Sequence, residues 1–449
     1  MNSVERSLAD ATLPMSRKGW GRTSLYRRYA IALIWVTMLL RFVDLQIISV
    51  LLESIRKEFG ATDTQLGLLS GFAFSILYAT LGIPVGWLAD RYDRRTIIAC
   101  AVGLWSVMTA LCGLATSFTW LLLARVGVGV GEAGGTAPAY SLVSETVAPE
   151  RRASVFAILN SAVPAGVFVG FLIGGWAAQS YGWRGAFLAL GVVGVLAAGV
   201  VRVTLSDPAH GRGGASETHA SIPILETLRH LLRIRSYCHL VLASSLFTAG
   251  AMGSGVWIAS FFIRVHHMPP GEVGTWLALI YGGGGIAGVL CGGFCADKVV
   301  ARTGDTRWYA WLAAAMSAAI LPFAPFVYLS GAPVQALLVQ IGTTFLMHAW
   351  MGPVYGTIQS LAGPGRRALA AAINLLAINL IAYGSGPLLV GVASDRLAPV
   401  VADQSLRYAI LGVVLVTYSW AALHFYIAGR SLREDLAKAQ VRSAPHACR

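Results

Sequence analysis

The chain is short of charge. Asp, Glu, Lys and Arg make up 12% of its 449 residues, about half the share usual in a soluble domain. Acids are the scarcer sign, at 21 against 34 bases. So little polar material cannot clothe a soluble globule, and a mean hydropathy of +0.65 places the chain in a membrane. Alternation at period two is missing from the apolar runs, which excludes a β-barrel. The six cysteines are scattered and form no spaced ligand set. Cys291 and Cys295 lie one helical turn apart and read as small packing residues; neither a metal nor a cofactor is expected. The loops G-x-x-x-x-G-K-[ST], H-E-x-x-H and G-x-S-x-G are also lacking, so neither ATP-driven transport nor membrane hydrolysis has a basis, and no enzyme is expected. The first 28 residues are polar and basic without a short apolar core before a cleavage site, so no removable signal peptide is expected.

What remains is apolar and helical. A hydrocarbon core about 30 Å thick takes roughly 20 residues per helix, and the sequence predicts spans near 29–52, 64–89, 96–115, 118–146, 152–179, 183–205, 237–264, 271–296, 308–330, 332–360, 367–394 and 405–429. Of the 34 basic residues, 26 fall on the side holding both termini, 6 on the other and 2 within spans. The positive-inside rule then predicts a multi-pass protein of the inner (plasma) membrane with both termini in the cytoplasm. The net charge of +13 is thereby a topology signal, and no nucleic-acid partner is implied.

The most polar interior stretch, "SDPAHGRGGASETHAS" (206–221), cannot bury a core and divides six spans from six. "IPILETLRHLLRIRS" (222–236) interleaves Leu and Ile with Arg229, Arg233 and Arg235, as expected of a helix lying along an anionic leaflet. The expected organisation is a cytoplasmic segment 1–28, a bundle 29–205, a linker with an interfacial helix 206–236, a second bundle 237–429 and a tail 430–449.

The two bundles repeat one another. The second span ends "GWLADR" (Gly86 to Arg91) and the eighth "GFCADK" (Gly293 to Lys298), 207 residues on, and Gly67 and Gly274 open the same spans at that offset. "PERRA" (Pro149 to Ala153) precedes the fifth span and "PGRRA" (Pro364 to Ala368) the eleventh, 215 residues on. The halves are parallel because six is even, and a site is expected between them near the midplane.

The segment "GWLADRYDRR" (Gly86 to Arg95) resembles the signature of the major facilitator superfamily. With "LLARVGVGVGEAGG" (Leu122 to Gly135), "DTQLGLLSGFAFSILYATLGIPVGWLADR" (Asp63 to Arg91) and "PERRA", it resembles the spinster-like branch, proton-linked carriers associated with lysophospholipids and sphingoid lipids. The resemblance implies an all-α membrane protein of twelve helices in two pseudo-symmetric six-helix bundles that rock to expose a central site. It also implies that Asp90 faces the start of the eleventh helix, where a carboxylate favours the positive end of the helix dipole, and holds the outward-open state. Gly86, Arg91, Arg94 and Arg95, with Asp297 and Lys298 of the second copy, are the accompanying gating candidates. The glycines of the fourth and fifth spans allow close backbone packing, and Pro164 offers a bend.

Only four acids or bases fall deep within spans: Arg41 and Asp44 in the first, Arg125 and Glu132 in the fourth. Each costs roughly 2.5–3.5 kcal/mol at a helix centre, so partners or water are required. Arg125 and Glu132 are seven apart, about 700° of rotation, and share a face, as do Arg41 and Asp44. In the superfamily the first and fourth helices line the cavity, so the resemblance brings the four together with no net charge. Glu132 is read as the principal proton carrier and Asp44 as the second, with Arg125 and Arg41 as counter-charges; a static ion-pair network is the alternative. Spinster-like chains usually carry Asp followed by Arg, whereas Leu45 follows Asp44 here and Arg41 stands one turn earlier.

The second half has no deep charge. Tyr281, His348, Trp350, Tyr355 and Asn374, with Tyr78 and Asn160 of the first half, are cavity candidates, a set suited to an amphipathic or lipid-like solute with a polar head. The expected function is a monomeric, proton-linked secondary transporter in contact with membrane lipids. A broad-specificity exporter, a uniporter and a non-transporting sensor on the same fold remain open.

Overall fold

Helices begin where the chain supplies a cap. Thr62 and Gln65 form a reciprocal capping box, Asp93 and Ser117 each accept a backbone N–H of the helix that follows them, and prolines open the first turns at Pro270 and Pro333. The computed structural model describes residues 24–89, 91–147, 149–207, 224–363 and 366–443, and among these no strand occurs.

The passages are α1 (Ser24–Phe59), α2 (Asp63–Gly67, Leu68–Phe72 and Ala73–Ala89), α3 (Arg94–Gly113) and α4 (Phe118–Glu132 and Thr136–Thr146). Pro149–Asn160 and Ala162–Thr204 supply α5 and α6, which are parted at Gly182, whose φ of 71° is open only to a residue without a Cβ clash. After the short linker helix Ile224–Leu232 come α7 (Arg235–Val265), α8 (Pro270–Thr303), α9 (Trp308–Tyr328) and α10 (Pro333–Ala362). Then follow α11 (Arg367–Ile378, Asn379–Tyr383 and Gly384–Val401) and α12 (Ser405–Ser443). Among the described residues, eight continuous segments are long and apolar enough to cross a membrane. Two of them, Ser154–Thr204 and Leu369–Ala439, each double back as two passages, while α2 is interrupted at Leu68–Phe72 and α4 between Glu132 and Thr136.

Each half packs as its own bundle: α1 against α5, α3 against α4 and α6, α7 against α12, and α9 against α10 and α12. The halves meet along α2 with α11 and α5 with α8. Three of these four interface helices carry an internal π-helical turn, at Leu68–Phe72, Ala278–Gly284 and Asn379–Tyr383. Such turns loosen the hydrogen-bond ladder where a helix must adjust. The contact between halves is tightest towards the membrane side away from the termini. A Cβ on Gly391 would collide with the carbonyl oxygen of Asp63, and one on Gly274 with that of Phe171. Gly67 and Gly274, which the repeat brings into register, therefore serve the same end, backbone-to-backbone approach across the interface.

Candidate functional site

α1 and α4 run antiparallel, so residues that rise along one descend along the other. Arg41 thus meets Glu132 and Asp44 meets Arg125. Arg41 Nε donates to Glu132 Oε2 at 2.7 Å and its Nη1 to Thr136 at 3.0 Å. Arg125 Nη1 donates to Asp44 Oδ2 at 3.1 Å, and Thr109 of α3 donates to Asp44 Oδ1 at 2.9 Å. The four side chains expected together are together, as two crossed pairs between helices. Three are essentially sealed from solvent, and Arg41 is 10% exposed along its side chain.

Neither pair is saturated. Glu132 Oε1 and Arg125 Nε have no hydrogen-bond partner among the described residues, so each pair keeps a free lone pair or proton in a dry site, where an unmet polar group is costly. Arg41 also lies over the ring of Tyr78, 4.9 Å from its centroid. Tyr78 belongs to Ala73–Ala89 of α2, the segment that packs on Asn379–Tyr383 of α11 in the other half. The ion pair is thereby linked through one ring to the interface between bundles.

Replacing Thr109, which sequence reading passed over as one more small residue, removes an acceptor-matched hydroxyl from a buried carboxylate. Thr109→Val is expected to destabilise the fold by about 1–3 kcal/mol, read as a lower unfolding midpoint in detergent, and to weaken transport less than any change at Glu132.

The cavity candidates divide. Asn160 accepts from Tyr140 Oη at 3.0 Å on α5 and α4, beside the Trp35–Ser161 contact that joins α1 to α5 at 3.0 Å. Tyr281 packs at a tilt against Phe171 across the halves, 5.4 Å between centroids, and receives a 3.4 Å contact from Gln340. Asn374 is buried with its Oδ1 unmet among the described residues. His348 is bonded to the carbonyl of Thr344 in its own helix at 2.8 Å. Tyr355 packs edge-on to Trp350. Trp350 itself is 2% exposed and wedged between Phe247 of α7 and Phe425 of α12. Expected at a cavity wall, it is a core residue of the second bundle, because its indole N–H is met by its own helix at Met347 and nothing polar remains to face a solute.

Of the gating candidates, Asp90 lies outside the described residues, as does the side-chain environment of Gly86. Arg91 is exposed, and Arg94 donates its backbone N–H to Asp207 at 2.9 Å. Arg95 pairs with Asp93 at 3.1 Å. Burial pushes the Asp93 carboxyl up, but hydrogen bonds from Thr96 and Arg95 outweigh it and hold the group below the usual carboxylate range. A depressed carboxyl stabilises the fold above its ordinary range, and that contribution vanishes as pH falls through the lowered value. Asp93→Ala is expected to cost about 0.5–2 kcal/mol, the worth of an N-cap. The deficit should shrink in unfolding curves taken at progressively acid pH. In the second copy, Asp297 accepts from Tyr309 at 3.0 Å within its own bundle, and Lys298 is exposed.

A latch on the side away from the termini was not anticipated. Arg264 at the end of α7 grips Asp63 of α2 through both Nη atoms, at 2.7 and 2.8 Å, and Glu53 of α1 through Nε at 3.0 Å. Asp395 of α11 accepts the backbone N–H groups of Asp63 and Thr64 at 3.0 and 2.7 Å, a carboxylate on the positive end of a helix. Ser394 donates to Asp63 at 2.6 Å. The signal was present: "GVASDR" (Gly391–Arg396) has the spacing of "GWLADR". With the halves locked on that side, a cavity of about 640 Å³ lies on the other, among the terminal-side ends of α1, α4 and α5.

The Major Facilitator Superfamily matches residues 34–387. An MFS-type efflux pump of Mycolicibacterium smegmatis is 30% identical over 411 residues, which cover 91% of this chain and 94% of that one. The sphingosine-1-phosphate transporter SPNS2 of Danio rerio is 26% identical over 399 residues, 84% of this chain and 78% of its own. A crystal structure of a bacterial homolog to the human lysosomal transporter spinster, described as inward-facing and unoccupied, shares 26% identity. It superposes with a TM-score of 0.81 over 92% of this chain and 99% of that one. With its matched family, its crossed charge pairs and its two closed-packed bundles, the chain belongs to the major facilitator superfamily and is a transporter of the spinster type.

Proposed function

We propose that this protein is a proton-linked secondary transporter that moves a small amphipathic or lipid-like solute by alternating access, with both termini in the cytoplasm. The observation that carries the reading is the pair of crossed, unsaturated ion pairs between α1 and α4. A proton on Glu132 neutralises the partner of Arg41 and leaves a guanidinium without its counter-charge in a dry site. Such an arginine must find new acceptors, and the nearest are Thr136, already bonded to it, and the face of Tyr78. A shift there is passed to α2 and so to the interface with α11. Asp44 supplies a second exchangeable site, buffered by Arg125 and Thr109. A proton crossing the membrane brings about 2.3 kcal/mol per 100 mV, enough to bias the rocking of the bundles without ATP.

The amphipathic character of the solute rests on a first half with charge at its centre and a second half without any. The relative named for sphingosine-1-phosphate transport supports a lipid-like solute. The relative named as an efflux pump supports a second reading, export of diverse compounds. Proteoliposomes with an imposed pH gradient separate these. Gradient-dependent movement of sphingosine-1-phosphate but not of ethidium supports the first reading, and the converse supports the second. Binding of either without movement would mark a sensor and overturn both.

A further inference from the structure

The cavity on the terminal side is unlike the central charge site. It is lined by the arginines Arg27, Arg28 and Arg151 and by the apolar faces of Ile31, Trp35 and Val155. Among the described residues no acidic side chain lines it, and no ion pair or hydrogen bond engages the three guanidinium groups. All three arginines are exposed, whereas Ile31, Trp35 and Val155 are half-buried. Its volume of about 640 Å³ falls within the roughly 300–1,000 Å³ usual for small-molecule sites.

Three cations with no partner among the described residues, set around a mouth, call for anions, and an apolar interior below them calls for hydrocarbon. The two demands meet in one molecule only if the anion carries a chain. The anchorage is built. Trp35 is held to Ser161 at 3.0 Å, which ties α1 to α5 and fixes the indole as a wall, and the arginines issue from two separate helices that converge there. Simple snorkelling to headgroups around the protein accounts for Arg27 and Arg28 at a helix start. It does not account for the concave apolar surface they share with Arg151.

We infer that this cavity is a vestibule that binds an anionic single-chain amphiphile, its head among Arg27, Arg28 and Arg151 and its chain along Ile31, Trp35 and Val155. The inference rests on the proposed function for the side of the membrane and for the amphiphilic cargo. The vestibule would collect such molecules from the cytoplasmic leaflet before they reach the charges at mid-membrane. It selects by headgroup charge, which the central site, neutral as a whole, cannot do at long range.

The test uses the full chain in zwitterionic nanodiscs and a lysophosphatidic acid with a diazirine in its acyl chain. Crosslinks mapped by mass spectrometry are expected on α1 around Ile31 to Trp35 and on α5 around Val155 to Ser161. In R27Q/R28Q/R151Q, which breaks no ion pair among the described residues, binding should weaken roughly a hundredfold, since each juxtamembrane arginine contributes about fivefold. Binding of monooleoylglycerol, with the same kind of chain and no charge, should not change. Crosslinks confined to the surroundings of Tyr281 and Asn374, unchanged binding in the triple variant, or displacement by 10 mM inorganic phosphate alone would each overturn the vestibule. Gradient-driven flux through the wild-type protein, measured beside it, decides the transport reading separately. A flux that persists with no vestibule crosslinks leaves that reading standing, and vestibule crosslinks without flux leave the site without it.

Discussion

Glu132→Gln is expected to abolish accumulation driven by a pH gradient while leaving solute exchange across the membrane measurable. The substitution keeps the shape of the side chain and one acceptor for Arg41 Nε, now 2.7 Å away, but fixes the site in the form that protonation would produce. A carrier that no longer gains and loses a proton has no means of linking the gradient to the bundles, so concentrative uptake or efflux should fall at least tenfold. Exchange needs only that the bundles rock with solute bound. Arg41→Ala should be harsher on the fold, because a carboxylate with essentially no exposure loses its counter-charge, a change worth about 3–5 kcal/mol. Asp44→Asn should give an intermediate loss, since the amide oxygen still accepts from Arg125 and the Thr109 hydroxyl can turn to accept from the amide N–H. Proteoliposome flux with and without a gradient reads all three. Full gradient-driven accumulation by the Glu132→Gln protein would remove that residue from the coupling scheme.

Arg264→Gln is expected to open the side away from the termini. The arginine answers two carboxylates that are 3% and 7% exposed, and it does so across the interface, from the second bundle to the first. Breaking a buried pair on one side leaves charge stranded, at a cost of about 3–5 kcal/mol. The halves can avoid most of that cost by separating and letting water reach Asp63 and Glu53. Were the whole cost expressed in that equilibrium, the population would move by two to three orders of magnitude, since about 1.4 kcal/mol is a factor of ten. Spin labels at Gly60 and Asp403 should show a longer distance in the variant than in wild type. Asp395→Asn removes a charge facing a helix terminus, worth about 0.3–1 kcal/mol, and one of the two acceptors of the Asp63 and Thr64 N–H groups, worth about 0.5–1.5 kcal/mol, and should shift the same distance distribution less. An unchanged distribution in Arg264→Gln would show that the glycine contacts at Gly391 and Gly274, with the Asp395 and Ser394 contacts to Asp63 and Thr64, hold that side closed without the arginine.

The two predictions concern opposite faces of one cycle. The charge pairs on α1 and α4 sit within the first bundle and touch the interface through Tyr78; the Arg264 latch lies on the interface itself. Coupling between them requires an element with two arrangements, and the π-helical turns in α2, α8 and α11 lie where such an element is needed.

Local sequence determined a good deal of this molecule. Apolar runs too long and too poorly charged for a soluble helix set the membrane class and the all-helical fold, and the repeated "GWLADR" and "GFCADK" ends made the two halves visible. Four charges in otherwise apolar spans marked the central site, because a charge in hydrocarbon survives only with a partner. Their crossed pairing, Arg41 with Glu132 and Arg125 with Asp44, came only with the packing of α1 against α4. Tertiary structure decided the rest. Arg264 and Asp63 are 201 residues apart and Asp395 and Asp63 332, and at the edges of their spans each reads as an ordinary solvated charge until the bundles close over it. Trp350 reads as a cavity aromatic until Phe247 and Phe425 enclose it, and Thr109 as one small residue among many until Asp44 arrives from another helix. Hydropathy and spacing report what a residue costs to bury; only the packing of distant helices decides which residues are buried together, and therefore which of them can hold a proton, a latch or a solute.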